Sequence, residues 1–192
     1  AGRVWAVEMG LDAPREAGQV AGRGPGRAGC KDLSAMDVPT TPSFRLDGRR
    51  ALVTGAGRGL GLAMAAALAE AGAETWLVAR SADQGEAAAQ AFRARGWAAR
   101  ANALDVTDGA APEAFIAAEG PFQVLVNNAG LARHAPFLET TAEDYDAVTD
   151  LNVRAAFFVA QAVAKGLAEA GLGGSIINLS SQMGHVGGPE RA

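Results

Sequence analysis

The chain has few residues suited to disulfide or metal chemistry. Its 192 residues include a single cysteine, Cys30, and two histidines, His134 and His185. One cysteine cannot form an internal disulfide, which fits a reducing compartment, and we therefore expect a cytoplasmic protein. The two histidines are too isolated in the sequence to indicate a metal site or a catalytic triad. We accordingly predict no bound metal.

Long hydrophobic runs and basic clusters are also lacking. No uninterrupted apolar run approaches the roughly 20 residues of a membrane-spanning helix. The net charge is −4, with no basic patch to attract a polyanion. Apolar residues make up 49% and charged residues 20% of the sequence, which is typical of a soluble α/β domain with one sizeable core. We expect neither a membrane nor a nucleic acid as a partner.

The first 43 residues differ in composition from the rest of the chain. Arginines are scattered among many Gly and Ala residues, and Pro14 and Pro25 interrupt any periodicity. Such a segment cannot bury enough apolar surface to offset its ordering entropy, so we predict a disordered extension. A transit peptide is conceivable, but acidic residues such as Glu8 count against it. Met36 is an alternative start, and we predict a folded domain over residues 44–192.

The stretch Arg50–Gly61 reads as a short apolar strand, a glycine-rich turn and the start of a helix. Glycine lets the backbone turn sharply and approach a phosphate without a Cβ in the way. The N-terminus of the following helix presents free N–H groups and a positive dipole end to that phosphate. Glycine-rich turns are common, but a strand before and a helix after favour dinucleotide binding. The spacing is Thr54-Gly55-x-x-x-Gly59-x-Gly61.

The same strand-then-helix unit recurs along the chain. We predict further strands at 74–79, 98–104, 122–126 and 175–179. Helix starts are indicated by capping-box spacings at Ser81/Gln84 and Thr140/Glu143, the latter opening a long helix to about residue 170, and by Thr107. Alternation of this kind predicts an α/β fold, a Rossmann-type doubly wound parallel sheet, here with five strands. Ligands of such sheets bind at the carboxyl ends of the strands.

Two arginines at these strand ends indicate which dinucleotide binds. Ala79 occupies the end of the second predicted strand, where many enzymes of this fold carry an acid that accepts hydrogen bonds from the adenosine ribose. Arg58 and Arg80 could instead clamp a 2′-phosphate bidentately, so we predict NADP. The alternative is that both arginines are solvated surface residues.

The later strand ends carry polar residues with more than one interpretation. Asp105 could accept from the adenine amine while Val106 packs on the ring, or Asp105 could simply begin a turn. In Asn127-Asn-Ala-Gly130, a structural role for at least one Asn is favoured. Asn152 shares an apolar helical stripe and needs a partner, which could be backbone, water or a catalytic group. Ser181 follows the last strand, where a lone Ser usually caps a helix or turn.

Five ordered motifs together resemble the short-chain dehydrogenase/reductase family. They are Thr54-Gly55-x-x-x-Gly59-Leu60-Gly61, Asp105-Val106, Asn127-Asn-Ala-Gly130, Leu151-Asn152-Val153 and Ile176-Ile-Asn-Leu-Ser-Ser181. The resemblance extends over residues 46–190, with 3-oxoacyl-carrier-protein reductases and gluconate-type sugar-acid dehydrogenases the most similar. It implies hydride transfer between NADP and a small-molecule carbonyl or secondary alcohol, in a homo-oligomeric complete enzyme.

The resemblance also assigns roles to single residues. Asn152 would hold a water in a proton relay, and Ser181 would hydrogen-bond the substrate oxygen. We predict that the cofactor is contacted by the following residues: Gly55, Gly57, Arg58, Gly59, Leu60, Gly61, Arg80, Asp105, Val106, Asn128, Ala129 and Gly130.

One element of the family pattern is missing from residues 1–192. The family places a Tyr and a Lys, spaced YxxxK, about a dozen residues beyond the Ser, whereas the sole tyrosine here is Tyr145 and Lys165 is wrongly spaced from it. We therefore expect a C-terminally truncated sheet that is inactive alone and marginally stable, with one strand edge unprotected. The alternative is a non-catalytic dinucleotide-binding module, or a subunit completed by a partner chain. A methyltransferase-like fold is disfavoured by the Asn-Asn-Ala-Gly turn.

Overall fold

The computed structural model describes residues 6–8 and 43–190. Strands and helices alternate along the chain after the first short strand. In order they are β1 (Ala6–Glu8), β2 (Arg50–Thr54), α1 (Gly59–Glu70), β3 (Glu74–Ala79), α2 (Ala82–Arg93), β4 (Ala99–Ala103), α3 (Ala111–Glu119), β5 (Val124–Asn127), α4 (Ala142–Thr149), α5 (Ala156–Glu169) and β6 (Ser175–Asn178). A π-helical segment, Asp150–Ala155, joins α4 to α5.

The strands form one sheet in the order β1-β6-β5-β2-β3-β4. The five strands from β2 to β6 pair in parallel. From β2 the chain moves outward to β3 and β4, and then returns to the other side of β2 for β5 and β6. The order therefore reverses between β2 and β5, which is the switch point where doubly wound sheets bind their ligands. The predicted fold class is confirmed.

Strand β1 was not predicted from the sequence. It pairs antiparallel with β6, with Ala6 opposite Ile177 and Glu8 opposite Ser175. The outer edge of β6 is therefore paired over three residues, whereas we expected it to be open. The predicted boundary between a disordered extension and a domain starting at residue 44 stays a prediction, because residues 1–5 and 9–42 lie outside the described part of the chain.

Each face of the sheet has its own hydrophobic core. On one face, Leu52, Trp76 and Leu125 of the sheet pack with Ile116 of α3 and with residues of α5 that include Val163. On the other face, sheet residues pack against α1 and α2: Val53, Leu77, Val126, Ala65, Ala69, Ala88, Ala89 and Phe92. Because both faces are covered, β2, β3 and β5 read as largely apolar runs. This is why their positions were predictable to within a few residues.

The helix starts follow the predicted caps only in part. Ser81 Oγ accepts from the Gln84 N–H at 3.3 Å, as predicted for α2. Helix α4 is capped by Thr141, whose Oγ1 accepts from the Asp144 N–H at 3.1 Å, one residue later than predicted. The prediction that Thr107 caps α3 is wrong, because α3 begins after Ala110 and has no side-chain cap. None of the helices in the described residues is long and apolar enough to cross a membrane.

Phe122 supports a test of the first core. Its side chain is fully buried and meets Trp76 edge-on, with ring centroids 5.2 Å apart. Phe122→Ala should lower the free energy of unfolding by about 3–5 kcal/mol, because the cavity left between α3 and the sheet cannot close fully. The measurement is urea denaturation followed by circular dichroism. Phe44→Ala is the control, since Phe44 is 91% exposed and its loss should change stability by less than about 0.5 kcal/mol. Equal shifts for both variants would contradict this core.

Candidate functional site

A cavity of about 850 Å³ opens at the carboxyl ends of β2, β3, β4 and β5. All twelve residues predicted to contact the cofactor line it. The topology brings them together because parallel strands end at the same edge of the sheet. The cavity is within the size range of small-molecule and cofactor sites. The wall also includes residues that were not predicted to contact the cofactor: Val78, Ala79, Ser81, Gln84, Leu104, Thr107, Leu131, Arg133, Ala147, Asp150 and Leu151.

The glycine-rich turn is the floor of this cavity. Gly55 and Gly59 have positive φ values of 66° and 59°, which residues with a Cβ rarely adopt. Gly61, in the first turn of α1, lies so close to the Gly55 carbonyl and the Asn128 side chain that a Cβ there would collide with both. Helix α1 has no side-chain cap and no acidic residue in its first turn. Its first N–H groups are thus available to an anion.

Thr54 and Asn128 connect the turn after β5 to the glycine-rich turn. The Thr54 hydroxyl oxygen accepts from the backbone N–H groups of Asn128 and Ala129, at 3.1 and 3.0 Å. The side-chain amide of Asn128 donates to the carbonyls of Thr54 and Gly55, at 2.9 and 3.2 Å. Both hydrogens of that amide are therefore used to hold the backbone of the glycine-rich turn. Asn128 has the structural role that was favoured for one of the two asparagines.

Asp105 forms the turn that was its simpler interpretation. Its Oδ1 accepts from the backbone N–H of Thr107 at 3.0 Å and from the Thr107 hydroxyl at 2.7 Å. These hydrogen bonds hold the pKa of the Asp105 carboxyl below its usual value, and the positive charge of Arg80 lowers it further. The carboxylate is thus ionised at neutral pH.

Arg58 and Arg80 lie exposed in the wall of the cavity. Neither guanidinium forms an ion pair with a carboxylate of residues 43–190. By contrast, Arg133, in the same wall, is bound to Asp144 at 2.7 Å. The positive charges of Arg58 and Arg80 beside the glycine-rich turn therefore make this part of the cavity attractive to an anion.

Asn152 lies in the π-helical segment and is exposed, so the predicted position on a buried apolar stripe is wrong. A π turn contains one more residue than an α turn, which rotates the residues before it away from the buried face of α5. The Asn152 amide pairs with the backbone of Leu131 in both directions. Oδ1 accepts from the Leu131 N–H at 2.9 Å, and Nδ2 donates to the Leu131 carbonyl at 2.8 Å. Backbone was one of the three partners considered for it.

Ser181 follows β6 and caps a short 3-10 turn, Gln182–Gly184. Its Oγ accepts from the Met183 N–H at 3.2 Å, so its own proton remains available for donation. Neither Ser181 nor Asn152 lines the cavity, although Leu131 and Leu151, beside Asn152 in space and in sequence, do. Within residues 43–190, no cluster of three or more ligating side chains suits a metal ion.

Comparison with known proteins agrees with this geometry. Residues 49–192 match the family model described as short chain dehydrogenase. The chain is 43% identical over 150 residues to gluconate 5-dehydrogenase of Gluconobacter oxydans (strain 621H), covering 76% of this chain and 58% of that protein. It is also 43% identical to the L-xylulose reductase of Bos taurus over 144 residues, covering 75% and 57%.

A solved structure shows the same architecture. The gluconate 5-dehydrogenase of Burkholderia cenocepacia J2315, crystallised in complex with NADP and tartrate, superposes with a TM-score of 0.72 at 42% identity. The match covers 78% of this chain and 60% of that one. The chain thus spans less than two-thirds of the length of each of these relatives. From its motifs, its sheet order and these matches, the chain belongs to the short-chain dehydrogenase family.

Proposed function

We propose that this chain binds NADP as part of an oxidoreductase that interconverts a carbonyl and a secondary alcohol. The observation that carries the proposal is the cavity at the strand ends, where a glycine floor adjoins two unpaired arginines. The glycine floor suits a pyrophosphate, and the arginines suit the 2′-phosphate that distinguishes NADP from NAD. Two relatives crystallised with NADP support this choice: the Burkholderia gluconate 5-dehydrogenase and a putative 2-deoxy-d-gluconate 3-dehydrogenase of Agrobacterium tumefaciens.

The remaining wall residues account for the other end of the nucleotide. Asp105 uses Oδ1 for its turn, which leaves Oδ2 to accept from the adenine amine. Val106 is half-buried beside it and offers an apolar surface for the ring. The turn and the ligand interpretations of Asp105 are thus compatible, since a carboxylate has two oxygens. Asn128 contributes indirectly, by fixing the carbonyls of Thr54 and Gly55 beneath the phosphates.

The names of the relatives indicate a substrate class. They include gluconate 5-dehydrogenase, D-erythrulose reductase and L-xylulose reductase, which are named for small polyhydroxylated carbonyls or alcohols. We propose a substrate of this class. The bound nicotinamide would supply or accept the hydride. Ser181 would donate a hydrogen bond from its hydroxyl to the substrate oxygen without giving up the proton, and Asn152 would position a water through the hydrogen-bonding capacity that Leu131 does not use.

Residues 1–192 hold no candidate for the family's acid/base tyrosine. Tyr145, the sole tyrosine, is 64% exposed on α4 and does not line the cavity. Lys165 lies on α5, 3.4 Å from Glu113. We therefore propose that residues 1–192 bind NADP without turning over a substrate. The second candidate is a non-catalytic dinucleotide-binding module, or a subunit completed by another chain.

The arginine clamp predicts a change of cofactor preference. Arg80→Asp should weaken NADPH binding at least about tenfold, because hydrogen bonds to charged groups contribute about 1.5–3 kcal/mol each. NADH binding should be unchanged or stronger. Isothermal titration calorimetry measures both dissociation constants. The matched control is Arg49→Asp, an exposed arginine before β2 at the opposite end of the strands, which should leave both constants unaltered. Equal behaviour of the two variants would refute the clamp.

The close packing of the glycine-rich turn predicts opposite effects on stability for alanine substitutions at two glycines in helices. Gly61→Ala should lower both stability and NADPH affinity, because its Cβ would displace the Gly55 carbonyl or Asn128. Gly166→Ala, in α5 with open space around it, should raise stability by about 0.4–1 kcal/mol and leave affinity intact. Denaturation and calorimetry on both variants decide the matter. Unchanged NADPH affinity in Gly61→Ala would count against the phosphate floor.

The absence of an acid/base predicts binding without turnover. The chain should bind NADPH yet leave its 340-nm absorbance steady when D-erythrulose or L-xylulose is added, because no group is placed to deliver the proton. The gluconate 5-dehydrogenase of Gluconobacter oxydans, assayed with its own substrate, is the positive control for the assay. Steady NADPH consumption above that of a heat-denatured sample would show that residues 1–192 are catalytic by themselves.

A further inference from the structure

We propose that Asn127 is a positioning residue that keeps the π-helical turn carrying Asn152 closed against Leu131. The inference rests on the proposed function, since it matters for catalysis only if Asn152 serves the reaction. It concerns a residue to which neither the cofactor cavity nor the predicted catalytic pair gives a role. Asn127 is one of only three polar side chains among the buried residues of the described chain, at 6% exposure.

The Asn127 amide bridges two elements. Its Nδ2 donates to the carbonyl of Ala156 and to Oδ1 of Asn178, each at 2.9 Å. Both hydrogens of the amide nitrogen are thus used, and the side chain has only one orientation that satisfies the two acceptors. A buried donor with two partners is costly to remove, because both acceptors lose their hydrogen bond at once.

The first acceptor belongs to the helix that carries Asn152. Ala156 is the first residue of α5, directly after the π-helical segment, and Asn152 lies about one helical turn before it. Leu131, the backbone partner of Asn152, lies at the other end of the turn that Asn127 begins. The turn of residues 127–131 is therefore bound to the helix at two points. The hydrogen bond of Asn127 to Ala156 is partly buried, whereas those of Asn152 to Leu131 are exposed to competing water.

The second acceptor belongs to the strand that leads to Ser181. Asn178 is the register partner of Asn127 in the parallel β5/β6 pair. The Asn127 amide therefore fixes two elements in position relative to the end of β5: the helix that carries Asn152 and the strand that precedes Ser181. The adjacent Asn128 faces the other way, towards Thr54 and Gly55. We infer that the two consecutive amides divide the site between them, with Asn128 holding the cofactor turn and Asn127 holding the catalytic side.

Asn127→Asp tests this division in the complete chain of 192 residues. The substitution keeps the side-chain shape but presents an oxygen to the Ala156 carbonyl and Asn178 Oδ1, with no donor for either. Amide hydrogen exchange should become at least about tenfold faster at Leu131, as the helix withdraws and Asn152 releases its backbone partner. Amides of the central strands, such as those of Leu52 and Leu77, should keep their protection. The NADPH dissociation constant should stay within about threefold of the wild-type value.

Three further variants make the result interpretable. Asn152→Ala should give the same acceleration at Leu131, and Asn102→Asp, at the opposite edge of the parallel sheet, should give none. Asn178→Ala removes only one acceptor and should give a smaller acceleration, about threefold. If Asn127→Asp does not fold, Asn178→Ala decides the question: no acceleration at Leu131 would overturn the proposal.

Two other outcomes have distinct meanings. Equal loss of protection at Leu131 and in the central strands would show a merely structural role for Asn127 and overturn the inference. Failure of the wild-type chain to bind NADPH would instead refute the proposed function, while the exchange rate at Leu131 would still report on Asn127.

Discussion

The close approach of two backbone turns is the constraint on which the rest of the site depends. The turn after β2 and the turn after β5 meet at Gly55, Gly61 and Asn128, with no space for a Cβ on either glycine. The reversal of strand order between β2 and β5 makes these turns neighbours. Hydrogen bonds that the Thr54 hydroxyl accepts and the Asn128 side chain donates then fix the separation of the two turns. A phosphate site requires turns that are fixed in this way, because backbone N–H groups bind an anion strongly only when their positions are fixed in advance.

The charges around the glycine-rich turn suit an anionic ligand. Hydrogen bonds within its own turn keep the Asp105 carboxyl of the cavity wall ionised, and under the proposed function this carboxylate accepts from the adenine amine. Arg58 lies in the glycine-rich turn and Arg80 directly follows β3, and neither forms an ion pair with a carboxylate of residues 43–190. Arg133, although in the same wall, is neutralised by Asp144. Under the proposed function, the wall places a carboxylate where the adenine has an amine donor and arginines where the nucleotide has a phosphate.

Sequence reasoning found those features that depend on local pattern. The strands β2, β3 and β5 are buried on both faces, so their apolar runs were visible, and the cap at Ser81 follows from side-chain chemistry within four residues. The twelve cavity residues were predictable because strand ends and motif spacing locate them together. The π-helical segment Asp150–Ala155 was not predicted, since it contains no Gly or Pro and its Asn152 side chain pairs with Leu131, 21 residues earlier in the sequence. Strand β1 was missed for the same reason, because its pairing partner lies far away in sequence.

The two helical layers differ in the size of the side chains that they bury. Helices α1 and α2 bury glycines, alanines and a single phenylalanine, whereas α3 and α5 bury residues such as Ile116, Val159 and Leu167. Helices that contact a sheet through Gly and Ala can approach it closely, and α1 belongs to this layer. The large side chains of the other layer can exchange volume with one another and repack. The layer of α1 and α2 has less such reserve, so the two faces of one sheet should differ in how much sequence change they tolerate.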